Sequence, residues 1–284
     1  MTKFILNYVD RESNKWLQKP TVYSGGDFMD AVILVFGKPE LAVFAHIDSV
    51  GFTVGYNNRL IRIGGPKLET GLRLRGHDSK GKVEGVLKVD KETGDLAIDA
   101  DRIIDRGTDL TFVMDFRETE SHIQSCSIDN RLGVWVALQL AESIRDGALV
   151  FSTYEEHGGG SAAYLAGFLY QKYNLTRSVI CDITWVTEGV HAGKGVALSV
   201  RDSGIPRKSY LKWIENKLAS GGVNYQIDVE SAGGSDGNEL QKSPYPFDWC
   251  FLGAPEENVH SPEEKVHKDD ISAMVNAYKV LLMT

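Results

Sequence analysis

The sequence predicts an α/β protein: a mainly parallel sheet with helices on both faces, interrupted by a small inserted β-barrel. Two observations carry this prediction. Short apolar runs, each followed by a polar cluster, alternate with segments of helical period, which is the pattern of strands buried on both faces and joined by crossover helices. Between about Thr53 and about Glu120 that alternation stops. Short period-two pieces separated by Gly, Asp and Lys turn clusters replace it.

Taken in order, the first apolar run is LAVFA, Leu41 to Ala45. The strand-rich stretch follows, with RLIRI, LRLRG, KVEGVLKV, DLAID and TDLTFVM, and has no convincing helix period. A helix is expected from Asn130 in NRLGVWVALQLAESI, then a buried strand in ALVFSTY, Ala148 to Tyr154. SAAYLAGFLYQKY from Ser161 reads as helix, SVIC from Ser178 as strand, and RKSYLKWIENKLAS from Arg207 as helix. The last strand is expected in DWCFLGA, Asp248 to Ala254, and the last helix in DDISAMVNAYKVLLM, which opens on acidic residues suited to the positive end of a helix dipole. The expected division is a discontinuous α/β catalytic domain over 1–52 and 121–284, with the barrel over 53–120. No internal repeat or low-complexity tract is evident.

With 284 residues, 42% hydrophobic and 25% charged, the chain can bury a full core. A formal charge of -8 and a pI near 5.4 argue against nucleic acid or an anionic membrane as partner. The first twenty residues carry no secretory pattern and no stretch is long enough to span a bilayer, so a cytoplasmic location is expected. Cys126, Cys181 and Cys250 lie far apart with no C-x-x-C pair, which fits neither a disulfide framework nor a thiolate zinc site.

The chemistry is expected where the core strands end. LAVFA runs into His46 and Asp48, ALVFSTY into Glu155 and Glu156, SVIC into Asp182, and DWCFLGA leads through a loop to His260. Open α/β sheets place their crevice at the carboxyl ends of the strands, so these side chains are expected to share one rim. Asp129 joins them from the start of the helix in SIDNRLGVWVAL. Singly, each has an ordinary explanation: a core histidine, a helix N-cap, a turn. Five in order are hard to attribute to chance. Two imidazoles and three carboxylates suit zinc, cobalt or manganese, and are too many for one tetrahedral ion. Two ions about 3.5 to 4 Å apart, bridged by a carboxylate and a water, would use them all. One of the adjacent glutamates then stays off the metal to serve as the base for a metal-bound hydroxide. Asp48, two residues beyond His46, is placed to orient its imidazole.

These residues lie in segments that resemble the tetrahedral aminopeptidase family of co-catalytic metallopeptidases, which includes glutamyl aminopeptidases and proteins labelled endoglucanase M. The resemblance is carried by AHIDSVGF from Ala45, the Gly64-Gly65 pair, SIDNRLG from Ser127, YEEHGGGSA from Tyr154 and CDIT from Cys181. It continues through GKGVAL from Gly193, GGSDGNEL from Gly233 and NVHSPEE from Asn258. It implies a zinc-peptidase-like fold and two divalent metal ions, zinc or cobalt. His46 and Asp182 would hold one ion and Glu156 and His260 the other, with Asp129 bridging and Glu155 the general base. It also implies a peptide substrate and a homo-oligomer, commonly a shell of twelve subunits. Two positions depart from the family pattern: Ser49 stands where an acidic residue is usual, and Glu257 near the place of an arginine.

The expected activity is removal of the N-terminal residue of peptides. The nearest alternative is a two-metal deacylase or carboxypeptidase on the same scaffold, and a non-catalytic binding protein is a more distant one. The glycines Gly158 to Gly160 are expected either to admit substrate or to form a plain turn, and Asp236 either to orient substrate or to cap a helix.

Overall fold

The computed structural model describes residues 1–282. The predicted final helix reaches Met283, and the predicted catalytic domain Thr284; these two positions lie outside the described residues. The chain begins with α1 (Thr2–Glu12), β1 (Thr21–Ser24), β2 (Val32–Phe36) and β3 (Ala42–His46). Next come β4 (Gly51–Val54), β5 (Leu60–Ile63), β6 (Arg73–Asp78), β7 (Gly81–Val89), β8 (Leu96–Asp99), β9 (Asp109–Phe112), β10 (Arg117–Glu118) and β11 (His122–Ser125). There follow α2 (Ile128–Ala141), β12 (Gly147–Ser152), α3 (Ala162–Tyr173), β13 (Ser178–Ile180), β14 (Ile183–Trp185) and β15 (Val196–Arg201). The chain continues through α4 (Lys208–Ser220), β16 (Tyr225–Val229), α5 (Asp236–Lys242), β17 (Phe251–Glu257), β18 (Glu264–His267) and α6 (Lys268–Leu282).

Two compact units result: one of Met1–Asp48, Asn130–Glu257 and the described residues from Val266 onward, the other of Ser49–Asp129 and Asn258–Lys265. In the first, strands run in the order β1-β2-β12-β3-β13-β17. The pairs β12·β3, β13·β3, β13·β17, β14·β17 and β15·β16 are parallel, while β1·β2, β2·β12 and β15·β17 are antiparallel. Every residue of β2, β3, β12 and β13 is buried, which accounts for the apolar runs they carry. The helix α3 adds Leu165, Ala166 and Leu169 to the same core, where each fully buried large side chain contributes about 1.5 to 3 kcal/mol.

The predicted strand over Asp248–Ala254 is displaced to Phe251–Glu257. Asp248 itself pairs only through an isolated parallel bridge to Arg177, its N–H donating to the Thr176 carbonyl at 2.8 Å, while its carboxylate accepts from the Arg207 guanidinium, Nε 2.6 Å away. Beyond Ala254 the strand persists because β14 pairs with it through Glu256, a partnership that the hydropathy of the run does not reveal.

In the second unit six strands follow the order β5-β4-β9-β6-β7-β8. An antiparallel bridge between Arg59 and Ala97 joins the two ends of that order, giving a nearly closed barrel. Its core includes Phe52 and Phe112, edge-on at 6.2 Å between ring centres. At one rim Asp78 accepts from both ends of the Arg102 guanidinium, and from the backbone N–H of Lys80 (2.9 Å) and Asp105 (3.3 Å). The Arg102 hydrogen bond, with these N–H donors, holds the Asp78 carboxyl well below the usual carboxylate range.

Candidate functional site

In the first unit β3 ends on His46, which is 1% exposed. Parallel register places Ser152 of β12 beside it. The chain leaves β12 through Tyr154, a non-glycine residue at φ 65°, and turns at once into a short 3₁₀ segment, Glu155–His157. Asp48 holds that turn: its carboxylate accepts the N–H of Glu155 at 3.2 Å and of Glu156 at 3.0 Å. The same carboxylate lies 3.6 Å from His46 Nδ1. Burial pushes the Asp48 carboxyl up, but the His46 imidazole, the Glu156 N–H and its own N–H pull it further down, to a net position below its ordinary range. Asp48 therefore positions the Glu155-Glu156 backbone as well as facing the imidazole, a second task that spacing alone did not suggest.

Asp182 sits between β13 and β14, 5% exposed. One carboxylate oxygen accepts the Ile183 N–H at 2.8 Å, and the other accepts the Ser235 hydroxyl at 2.8 Å and lies 3.5 Å from His46 Nε2. Glu155 approaches the same imidazole nitrogen at 3.9 Å. The body of α2 is locked against these strand ends. Asn130 donates to the Cys181 carbonyl at 2.9 Å, and Arg131 to the Ile47 carbonyl at 2.9 Å. Gly133 passes so close that an added Cβ would lie 2.0 Å from the Cys181 carbonyl oxygen.

Asp236, the first residue of α5, is 1% exposed and accepts the Ser152 hydroxyl. Burial, opposed by the Ser152 hydrogen bond and His46 and reinforced by Asp182 and Asp48, pushes its carboxyl up to about 7. Its side chain is held by Ser152, the residue that pairs beside His46, and it makes no helix-cap bond. Gly158, Gly159 and Gly160 all have positive φ (99°, 77° and 22°), so the run forms a turn that other residues would strain.

In the second unit Asp129 lies in the first turn of α2, with Oδ2 3.3 Å from His260 Nε2. His260 follows β17 at φ 61° and its carbonyl accepts the Lys67 N–H at 2.8 Å. Gly65 faces the imidazole: a Cβ there would stand 3.4 Å from His260 Nδ1. Glu264, 1% exposed, accepts the N–H of Ile128 at 2.5 Å and of Asp129 at 3.3 Å, fixing the helix turn that carries Asp129. Burial, then the charge of Asp129, push its carboxyl up to about 8. Glu264 went unassigned in the sequence although it lies within the NVHSPEE segment, as did Ser235 within GGSDGNEL.

Each unit thus sets one imidazole nitrogen beside one carboxylate oxygen, at 3.5 Å for His46 and Asp182 and 3.3 Å for His260 and Asp129. These distances exceed a good N–H···O⁻ hydrogen bond. They match the edge of a tetrahedron around an ion with ligand bonds of about 2.0 to 2.2 Å, an edge of about 3.3 to 3.6 Å. The donor set therefore fits a divalent cation of the zinc type. The chain crosses between its units at 48/49, 129/130, 257/258 and 265/266, and His46, Asp129 and His260 each lie within three residues of a crossing.

An α/β layer with an inserted barrel, bearing paired imidazoles and carboxylates at its strand ends, is the arrangement of a hydrolytic peptidase. A family model described as M42 glutamyl aminopeptidase matches residues 87–276, two thirds of the chain, and the protein belongs to that family. A protein of Acetivibrio thermocellus, provisionally described as an aminopeptidase, is 25% identical over 272 residues, covering 86% of this chain and 81% of that one. Aminopeptidase APDkam598 of the archaeon Desulfurococcus kamchatkensis has a similar fold, with TM-score 0.86, 20% identity, and coverage of 99% of this chain and 89% of its own. The TET1 peptidase of Pyrococcus horikoshii is likewise similar, with TM-score 0.83, 20% identity, and coverage of 99% and 94%. These comparisons establish the fold class and a peptidase hydrolase. Among the described residues no helix is long and apolar enough to cross a membrane.

Proposed function

We propose that the protein is a dinuclear-metal aminopeptidase that removes the N-terminal residue of peptides. His46 and Asp182 would hold one ion and Glu156 and His260 the other, with Asp129 shared between the two. The observation that carries this reading is the repeated imidazole–carboxylate pair at tetrahedral-edge spacing. Zinc or cobalt suits the mixed nitrogen and oxygen donors. When bound, the ions supply Lewis acidity toward water and the scissile carbonyl.

The remaining work belongs to the chain. Glu155 takes a proton from the attacking water at its carboxylate and delivers it to the departing amine. Asp48 holds Glu155 and Glu156 by their backbone N–H groups, so that one carboxylate stays available for proton transfer while its neighbour binds metal. Membership of a glutamyl aminopeptidase family and the Acetivibrio thermocellus relative support the aminopeptidase specificity. Assembly as a homo-oligomer, up to a shell of twelve, is part of the proposal. Support comes from the Pyrococcus horikoshii TET1 peptidase, described as assembling into a tetrahedron or a large octahedral shell. A cytoplasmic location is proposed with it.

The test uses chelator-stripped protein supplied with cobalt or zinc and a panel of aminoacyl chromogenic amides, each free and N-acetylated. Metal-restored cleavage of free amides alone supports the proposal; cleavage of only the acetylated set, or of none, refutes it. Glu155→Gln is expected to abolish turnover with metal content unchanged, and loss of metal in that variant would move Glu155 into the ligand set.

A further inference from the structure

Ser235 occupies the N-cap position of α5, where serine ordinarily accepts an N–H from the first turn of its own helix. It makes no such cap bond. Its hydroxyl is turned away from the helix and donates to Asp182 Oδ2 at 2.8 Å, in a position where Ser235 is 8% and Asp182 5% exposed.

That oxygen is the one lying 3.5 Å from His46 Nε2, and the other oxygen of the carboxylate is engaged by the Ile183 N–H at 2.8 Å. One donor on each oxygen fixes the carboxylate plane. Of the two lone-pair directions on Oδ2, the Ser235 hydroxyl takes one and leaves the other for the imidazole side. The start of α5 is itself held in register with β3, because Asp236 accepts the hydroxyl of Ser152, which pairs beside His46.

We infer that Ser235 is a positioning residue that sets the Asp182 carboxylate for a divalent cation on the His46 side, selecting Oδ2 as the donor atom. The inference rests on the proposed metal centre. A ligand's outer partner is worth about 10- to 100-fold in metal affinity. Since the hydroxyl makes no cap bond, its removal leaves the helix terminus as it was; one buried hydrogen bond to Asp182 is lost, so a modest loss of stability accompanies the effect on ion binding, which is the distinguishing readout.

The experiment is a cobalt titration of the chelator-stripped, full-length protein, followed by visible absorption and calorimetry, for wild type, Ser235→Ala and Ser235→Thr. The expected result is two ions in wild type, one of them weakened about 10- to 100-fold in Ser235→Ala, and wild-type behaviour in Ser235→Thr. The metal-free melting temperature of Ser235→Ala is expected to fall by a few degrees for the lost buried hydrogen bond, and the titrations are run well below both melting temperatures. Should Ser235→Ala not fold, Ser235→Gly also lacks the hydroxyl and is well tolerated at an N-cap. Two wild-type affinities in the hydroxyl-free variant overturn the inference, and so does equal weakening in Ser235→Thr. A wild-type protein that takes up no ion overturns the metal centre itself, a result distinct from the other two.

Discussion

Asp48 shows how one carboxylate can shape a candidate site through the backbone of its neighbours. It accepts two successive backbone N–H groups, and an amide offers a single acceptor oxygen in its place. Asp48→Asn is therefore expected to leave one of the Glu155 and Glu156 N–H groups without its acceptor and to lower kcat/KM about 10- to 100-fold. Circular dichroism should show the fold intact. Retention of full activity would mean that the turn at Tyr154–Glu156 holds itself. The candidate site residues were legible in the sequence as residue types, since imidazoles and carboxylates at strand ends announce themselves. The sequence did not disclose Ser152, Ser235 or Glu264. A hydroxyl or a buried carboxyl that serves another residue 53, 84 or 135 positions away carries no local pattern.

Among the elements, α2 depends on close approach. Gly133→Ala would drive a methyl group toward the Cys181 carbonyl and the Asn130 side chain, neither of which can easily retreat. A loss of about 1 to 3 kcal/mol is expected, read as a lower urea midpoint. In the barrel, the Asp78 carboxyl is held below its ordinary range in the folded protein. The unfolded chain therefore binds the proton more readily, and stability rises with pH through that interval. The contribution is fully present above the ordinary carboxylate pKa of about 3.9 and is lost as pH falls below it toward the depressed value. Asp78→Asn should remove this dependence: urea midpoints measured from pH 3 to pH 7 should fall more steeply with acid for wild type than for the variant. The strands buried on both faces were legible from apolar runs, and the barrel strands from period-two alternation. The length of β17 was not, because pairing with β14 carries it into a charged stretch. Nor was α1, and α5, only seven residues long, was anticipated only as a helix that Asp236 could cap.

For the whole molecule, ions that bind only the folded chain stabilise it by mass action, by about 2.7 kcal/mol per site at a hundredfold excess over Kd. Stripping them with a chelator is expected to lower the melting temperature by about 5 °C or more, restored by zinc or cobalt. A melting temperature indifferent to both would count against the metal centre. Light scattering on the purified protein should give a mass several times 31.4 kDa, and a monomer at micromolar concentration would refute the proposed assembly. The alternation of strands and helices revealed the α/β and barrel architecture. What no local signal marks is that the second unit also takes in Asn258–Lys265.

That discontinuity has a consequence for biosynthesis. The proposed ligands are delivered by segments scattered from His46 to His260, and the interval between those two must be translated before the full set exists. Any nascent or prematurely terminated chain that stops short of His260 lacks a ligand. It is expected to be inert toward peptides, so a ribosome making this peptidase releases no active protease fragment when synthesis aborts.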